Sequence, residues 1–294
     1  MASVNSLNVN SYGYSILEDK PTQDELDLYY EDLYYQENNA TYRHDYSLDE
    51  LINIKNRIKL KHYVINKLIN NPTSLIDIGC GEGWTLDYFC KEGWNVFGVD
   101  QSIDGSIRHN KDIVPNIIVG DVNDPTIYTK FLAKKFDVVW LDNVLEHILE
   151  PDLLLQLCKK IMNKNSILMV EVPNDNTIFQ NYLYDNKYVQ TKYWVKYPDH
   201  INYFNKNSLN IFLKKMGFAN LEIFSDWPIE TNLLNSNTNY VNDPKKGKSC
   251  HQSRLVIENY ISSVSLDQTI ALNKALVELG IGRQLIGFYK LSEI

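Results

Sequence analysis

Cysteine is scarce in this 294-residue chain, and the four present, Cys80, Cys90, Cys158 and Cys250, form no C-x-x-C pair. That spacing suggests neither a zinc knuckle nor a disulfide framework and leaves reduced structural thiols. No run of 18 apolar residues exists, and MASVNSLNVNSYGYS lacks the charged-then-apolar pattern of a secretion signal. A cytoplasmic protein with no membrane partner is expected. Basic residues are outnumbered, 29 Lys and Arg against 37 Asp and Glu, for a net charge of −8. Phosphate backbones require clustered cations to displace counterions, so no nucleic-acid partner is expected. Core-forming residues are plentiful. With 44% hydrophobic, 12% aromatic and 22% charged residues, a wholly disordered or collagenous chain is excluded, and one large domain, or a domain with appendages, is indicated.

The first twenty residues are Ser- and Asn-rich and read as a mobile arm; the following PTQDELDLYYEDLYYQ has acids and aromatics at helical spacing. A second helix is predicted from Ser47 to about Asn70, stopped by Asn71 and Pro72. Beyond it, short β-branched runs at 74–79, 95–100, 116–121, 136–142 and 166–173 read as buried strands of a parallel sheet. Amphipathic helices separate them; Asp124-Pro125 and Glu150-Pro151 each put proline in a first turn, where its missing N–H costs nothing. This repetition predicts an α/β, doubly wound domain. NKNSLNIFLKKMGF reads as a helix stopped by Gly217, ANLEIFS as the strand after it, and 284–291 as the last strand. Between them lie an Asn-rich loop (232–243), the basic run Lys245, Lys246 and Lys248, and helices near 249–263 and 266–279. The division expected is an N-terminal arm and helical cap (1–70), an α/β core (71–225), a helical insertion (226–283) and a final core strand (284–294).

The most informative segment is L-I-D-I-G-C-G-E-G-W, a strand running into Gly79, Gly81 and Gly83. Glycines allow a sharp turn and let a ligand approach backbone that a Cβ would obstruct. The spacing is G-x-G-x-G, whereas the dinucleotide fingerprint is G-x-G-x-x-G, and Trp84 stands where its last glycine would have to be. A nicotinamide cofactor is therefore disfavoured. The segment resembles the first motif of class I S-adenosylmethionine-dependent methyltransferases, and the likeness extends over roughly 70–290, through Asp100, VGDV and LDNVLEHI. The resemblance implies a Rossmann-like, mostly parallel seven-stranded sheet and S-adenosylmethionine as cofactor, with S-adenosylhomocysteine as product and no metal. It implies a donor site of Asp77, Gly79, Cys80, Gly81, Asp100, Gln101, Asp121, Val122 and Leu141. Asp100 would accept both ribose hydroxyls and Asp121 the adenine amino group, while Leu141 would contribute backbone. Asn143 would point into the cleft; Glu146 and His147 would support the loop, or His147 would act directly.

A sulfonium methyl is already activated, so an enzyme moving it to an alcohol must align the oxygen and remove its proton. WVKYPDHINYF supplies Tyr197, Asp199, His200 and Tyr203, and His200 titrates in the useful range. The run is similar to a signature of deoxysugar methyltransferases in which the histidine is the base, with Asp199 in place of their usual glutamate. That similarity implies catalytic His200, Asp199 and Tyr197, with Asn143, Tyr203, Arg254 and Arg283 binding substrate. The N-terminal tyrosine-rich segment also looks like that of polysaccharide-linked methyltransferases, which makes Tyr34, Tyr35, Arg43 and Arg57 candidates for the methionine end. A helical surface with packed rings is the alternative for these four, and for Arg57, flanked by Lys55 and Lys59, a solvated basic face explains it equally well. The expected partner is a small-molecule sugar acceptor, nucleotide-linked or phosphorylated, held by the local cations of the insertion in capsule or lipopolysaccharide precursor synthesis. Methylation of a quinone ring or a small amine is the alternative, and a non-catalytic nucleoside-binding partner protein another; a homo-oligomer is left open.

Overall fold

The computed structural model of the chain describes residues 6–29 and 45–292. It opens with a hairpin, β1 (Leu7–Val9) and β2 (Ser15–Leu17), followed by helix α1 (Gln23–Tyr29). The expected mobile arm is thus corrected over residues 6–20. Ser15 and Ile16 pair with Tyr203 and Asn202, and Tyr14 is buried with its ring 4.7 Å from Phe204 and 4.9 Å from Phe212. Burial of that ring anchors a segment whose Ser and Asn content suggests looseness. Helix α2 (Leu48–Leu68) starts at a capping box in which Ser47 and Glu50 satisfy each other's backbone N–H.

Strands and helices then alternate: β3 (Ser74–Ile78), α3 (Trp84–Lys91), β4 (Asn95–Asp100), α4 (Asp104–His109), β5 (Ile117–Val119) and α5 (Pro125–Tyr128). Next come β6 (Phe136–Asp142), α6 (Pro151–Lys160), β7 (Met162–Pro173), α7 (Ile178–Asp185), β8 (Asn202–Tyr203) and α8 (Lys206–Lys215). The chain closes with β9 (Phe218–Ser225), α9 (Gly247–Val264), α10 (Leu266–Glu278) and β10 (Gln284–Leu291). Seven strands form one sheet in the order β5-β4-β3-β6-β7-β10-β9, parallel except that β10 lies antiparallel between β7 and β9. The α/β expectation is met, and the two helices expected in the insertion appear as α9 and α10.

Strand periodicity explains the two cores. Ile76, Ile78, Val139 and Leu141 face Leu154, Leu155 and Phe212, while the alternate residues Leu75, Val138 and Trp140 face Ile58, Ile65, Leu86 and Phe89. The chain leaves β3 toward β4 and β5, then returns to build β6 and β7 on the other side. This reversal between β3 and β6 opens a crevice at their carboxyl ends, where ligands bind in such sheets. No described helix is long and apolar enough to cross a membrane.

Candidate active site

Gly79, Gly81 and Gly83 all have positive φ (78°, 51° and 76°), so the turn after β3 needs them. A Cβ on Gly79 would stand 2.6 Å from Val144 Cγ2, and one on Gly83 2.6 Å from Ile113 Cδ1. The turn is tied to its neighbour strand: Gly79 N–H donates to Val99 O (2.7 Å) and Gly81 N–H to Asp100 Oδ2 (2.7 Å). Ser102 N–H donates to the other Asp100 oxygen at 3.1 Å. Burial pushes the Asp100 carboxyl up, and these backbone donors oppose that in part.

Two cavities flank the turn. The first, about 430 Å³, is bordered by Asp100, Gln101, Asp121, Val122, Asn143 and His147. Asp121 accepts from Asn123 N–H at 2.8 Å, and Val122 O accepts from the Tyr128 hydroxyl at 2.7 Å, which fixes the loop after β5. The second, about 370 Å³, is bordered by Asp77, Cys80, Arg57, Lys61, Asn143 and Arg254. Tyr46, Gly79, Trp84, Asp142 and Asn143 border both, so the cavities meet over the glycine turn. Asn143 holds the left-handed conformation (φ 55°) while its N–H donates to Glu171 O at 2.9 Å. Asp77 Oδ1 is buried without a hydrogen-bond partner, and burial with Asp142 and Asp100 nearby pushes its carboxyl well up. Such an oxygen fits a cationic or N–H donor from a ligand.

A charged floor supports the second cavity. Lys61 is 2% exposed yet bridges Asp142 (2.5 Å) and Glu171, and Arg57 pairs with Glu171 and lies 3.9 Å from Asp226. Arg254 hydrogen-bonds Glu258 at 3.0 and 3.3 Å. Burial alone would raise the Asp142 carboxyl, but Lys61 beside it overcomes this and holds it below its ordinary value. Arg57 faces inward while Lys55 and Lys59 face solvent, so the solvated basic face holds for the two lysines and not for Arg57. Lys61 was not among the residues expected from sequence; its place four residues after Arg57, on the helix side that buries Ile58 and Ile65, was the available signal. Nor was Tyr46. Its hydroxyl donates to Glu82 Oε2 at 2.7 Å, and Trp84 Nε1–H donates to the same oxygen at 2.6 Å.

A second ionisable group borders the first cavity. His147 Nδ1 lies 2.7 Å from the carbonyl oxygen of Asp199 and 3.2 Å from its Oδ1. A carbonyl only accepts, so Nδ1 carries a proton and Nε2 is the exchangeable position. Burial would lower His147, but Asp199 and Glu146 reverse this and carry it to about 9. Burial pushes Glu146 up to about 7, and neither of its oxygens has a hydrogen-bond partner. His200 packs edge-on against His147 at 5.0 Å, and burial with that neighbour carries it down to about 3. One ligand atom from each of Glu146, His147 and His200 lies within 4.8 Å of the others, so their protonations are interdependent.

The remaining expected residues fall as follows. His200 is buried behind His147 and borders neither cavity; Asp199 touches both histidines. Tyr197 is 42% exposed. Tyr203 donates to His200 O at 2.7 Å and accepts from Lys196 N–H at 3.2 Å, holding the loop's shape from within. Leu141 is fully buried inside β6. Arg283 pairs with Asp175 at 3.3 Å outside both cavities. Lys246 donates to Ser236 O at 2.7 Å, within its own insertion, and Lys245 and Lys248 border neither cavity. Tyr34, Tyr35 and Arg43 lie outside the described residues.

The methyltransferase domain family matches residues 42–223, and the chain belongs to that family. Among curated relatives it is 29% identical over 136 residues to a ubiquinone biosynthesis O-methyltransferase from Coxiella burnetii, covering 45% of this chain and 56% of that protein. A protein of the same description from Pelagibacter ubique is 27% identical over 180 residues, 57% of this chain and 72% of that one. The chain thus spans little more than half the length of the first of these relatives. Among solved structures, a SAM-dependent methyltransferase from Archaeoglobus fulgidus superposes with a TM-score of 0.51 at 20% identity, covering 82% of this chain and 94% of that one. The plantazolicin methyltransferase BpumL, solved with a triazolic desmethylPZN analog and SAH, gives 0.51 at 17%, covering 82% and 86%. These likenesses show that the sheet is the Rossmann-like methyltransferase fold.

Proposed function

We propose that the protein transfers a methyl group from S-adenosylmethionine to an oxygen of a small-molecule acceptor, releasing S-adenosylhomocysteine. The observation that carries this reading is the pair of cavities meeting over the glycine turn, with Asp100 and Asp121 on one side and the unpartnered Asp77 oxygen on the other. The donor, when bound, supplies a methyl already activated on sulfonium sulfur. Asp100 would hold the ribose hydroxyls, Asp121 and Val122 would border the adenine, and Asp77 would accept from the methionine ammonium. Arg57 stands on the same wall, although Glu171 and Asp226 already occupy much of its donor capacity.

His147 would take the acceptor's proton, because it borders the cavity, Asp199 orients its ring, and Nε2, 3.8 Å from Glu146 Oε1, makes no hydrogen bond there. His200, read from sequence as the base, would then act through His147. The relatives' name supports a quinone-ring hydroxyl as the acceptor. A sugar hydroxyl is the second reading: the second cavity presents Asn53, Lys61, Asp142 and Gln284 beside Ile54, Ile58, Trp84 and Leu255, a wall of mixed polar and apolar groups that would suit a hydroxylated ring. Calorimetry tests the donor: adenosylhomocysteine is expected to bind and NADH to give no heat. Heat from NADH alone would overturn the whole reading. For the acceptor, product mass from a panel of quinol precursors and nucleotide sugars, each gaining one methylene, decides.

A further inference from the structure

The cations of the insertion divide by where they reach. Lys245, Lys246, Lys248 and Arg283 border neither cavity over the glycine turn, whereas His251 and Arg254, one turn apart on α9, both border the second. Arg254 keeps 14% of its side chain exposed while Nη1 holds Glu258 at 3.0 and 3.3 Å. Its Nη2 lies 3.3 Å from His251 Nδ1. An arginine only donates, so Nδ1 accepts and the ring is neutral, with Nε2–H toward Glu50 Oε1 at 3.5 Å. Nε–H and the second Nη2 hydrogen of Arg254 have no hydrogen bond among the described residues. The other two cations of this cavity are more fully engaged: Arg57 serves Glu171 and Asp226, and Lys61 serves Asp142 and Glu171.

Other walls of the same cavity narrow the ligand. Trp84 and Thr85, the first residues of α3, border it. N–H groups at a helix start lack an intrahelical partner, and Gly83 before them has no side chain to cap them. Such groups favour an anion. Asp77 borders the cavity as well, 3% exposed and with Oδ1 lacking a hydrogen bond. One cavity thus joins an arginine and a helix start, suited to an anion, with a carboxyl suited to a cation. A phosphate would be repelled by Asp77, whereas an α-amino acid carries its ammonium and carboxylate on one carbon and satisfies both.

We propose that Arg254, oriented by His251 and Glu258, grips the carboxylate of the donor's methionine end, a role that rests on the methyl-transfer reading above. The Nε–H and Nη2–H edge of a guanidinium matches the two oxygens of a carboxylate, and the α3 N–H groups add to the same anion while Asp77 takes the ammonium. Arg254 lies beyond residues 42–223, the part matched by the methyltransferase domain, so this grip belongs to the insertion rather than to the shared domain. The insertion then reads the donor as well as enclosing the cavity.

The test compares two ligands by calorimetry on the full chain: adenosylhomocysteine, and its decarboxylated analogue S-adenosyl-3-thiopropylamine, which keeps the nucleoside, sulfur and amine. The unaltered protein is expected to bind adenosylhomocysteine about tenfold or more tightly than the analogue. Binding of neither would defeat the methyl-transfer reading and the grip with it; equal binding of both would overturn the grip alone. Arg254→Met is expected to weaken adenosylhomocysteine about tenfold or more and the analogue less than about threefold. That change deprives Glu258 of its cation, so the pair Arg254→Met and Glu258→Gln in one chain is measured beside it, with the same selective loss expected. Equal weakening of both ligands in the doubly altered chain would make Arg254 a support of the fold and overturn the proposal. Full adenosylhomocysteine affinity in either variant would overturn it too, and a raised acceptor KM beside that full affinity would assign Arg254 to the acceptor instead.

Discussion

His200 and Glu146 are displaced in opposite senses, and each displacement makes stability depend on pH. His200 sits near 3 in the folded chain against an ordinary 6.5, so below 6.5 the unfolded chain binds a proton that the folded one refuses, and stability falls toward pH 3. Glu146 sits near 7 against an ordinary 4.5, so between these values the folded chain keeps a proton that the unfolded one has lost, and stability falls as pH rises. The two slopes, each at most about 1.4 kcal/mol per pH unit, oppose one another between 4.5 and 6.5. His200→Gln removes one of them. Urea unfolding across that window is expected to show the variant losing stability with rising pH relative to the unaltered protein; parallel profiles would contradict the assignment. His147 yields a kinetic counterpart. With its pKa carried to about 9, a base at this position makes kcat/KM climb from neutral pH toward 9. His147→Ala is expected to abolish that limb and lower kcat about 10²–10⁴-fold. Asp199→Asn, which removes a charge that raises His147, is expected to move the limb to lower pH.

At the level of elements, the turn after β3 and helix α2 both border the second cavity. The turn was legible in sequence because three glycines at alternate positions after a β-branched strand mark backbone that must leave the region open to other residues, and all three hold positive φ. Gly79→Ala would combine a strained backbone with a Cβ 2.6 Å from Val144 Cγ2. A loss of about 1–3 kcal/mol in unfolding free energy is expected, together with loss of adenosylhomocysteine binding by calorimetry. Retained affinity would mean that the turn is not where the donor lies. The short hairpin β1–β2 and the two-residue β8 were not legible. Neither has the length or alternation of an independent strand, and each exists because Tyr14, Phe204 and Phe212 find one another across the chain.

On the scale of the whole molecule, a buried ion chain ties α2 to β6 and β7, and through Asp226 to the end of β9. Lys61→Met would leave Asp142 and Glu171 short of a cation, and is expected to cost about 3 kcal/mol or more as read by denaturant midpoint at constant m. An unchanged midpoint would show that Arg57 carries the connection alone. The alternation of strand and helix, the glycine turn and the acids ending β4 and following β5 were determined by the sequence alone, since each rests on local periodicity, caps and backbone freedom within a few residues. The tertiary structure alone decided that His147 rather than His200 borders the cavity, that Lys61 is buried, and that Arg283 pairs with Asp175 outside both cavities. Those facts depend on segments far apart in the chain meeting at one sheet edge, and on burial, which sets both the charge state and the access of a titratable group and is a property of its neighbours in space rather than in sequence.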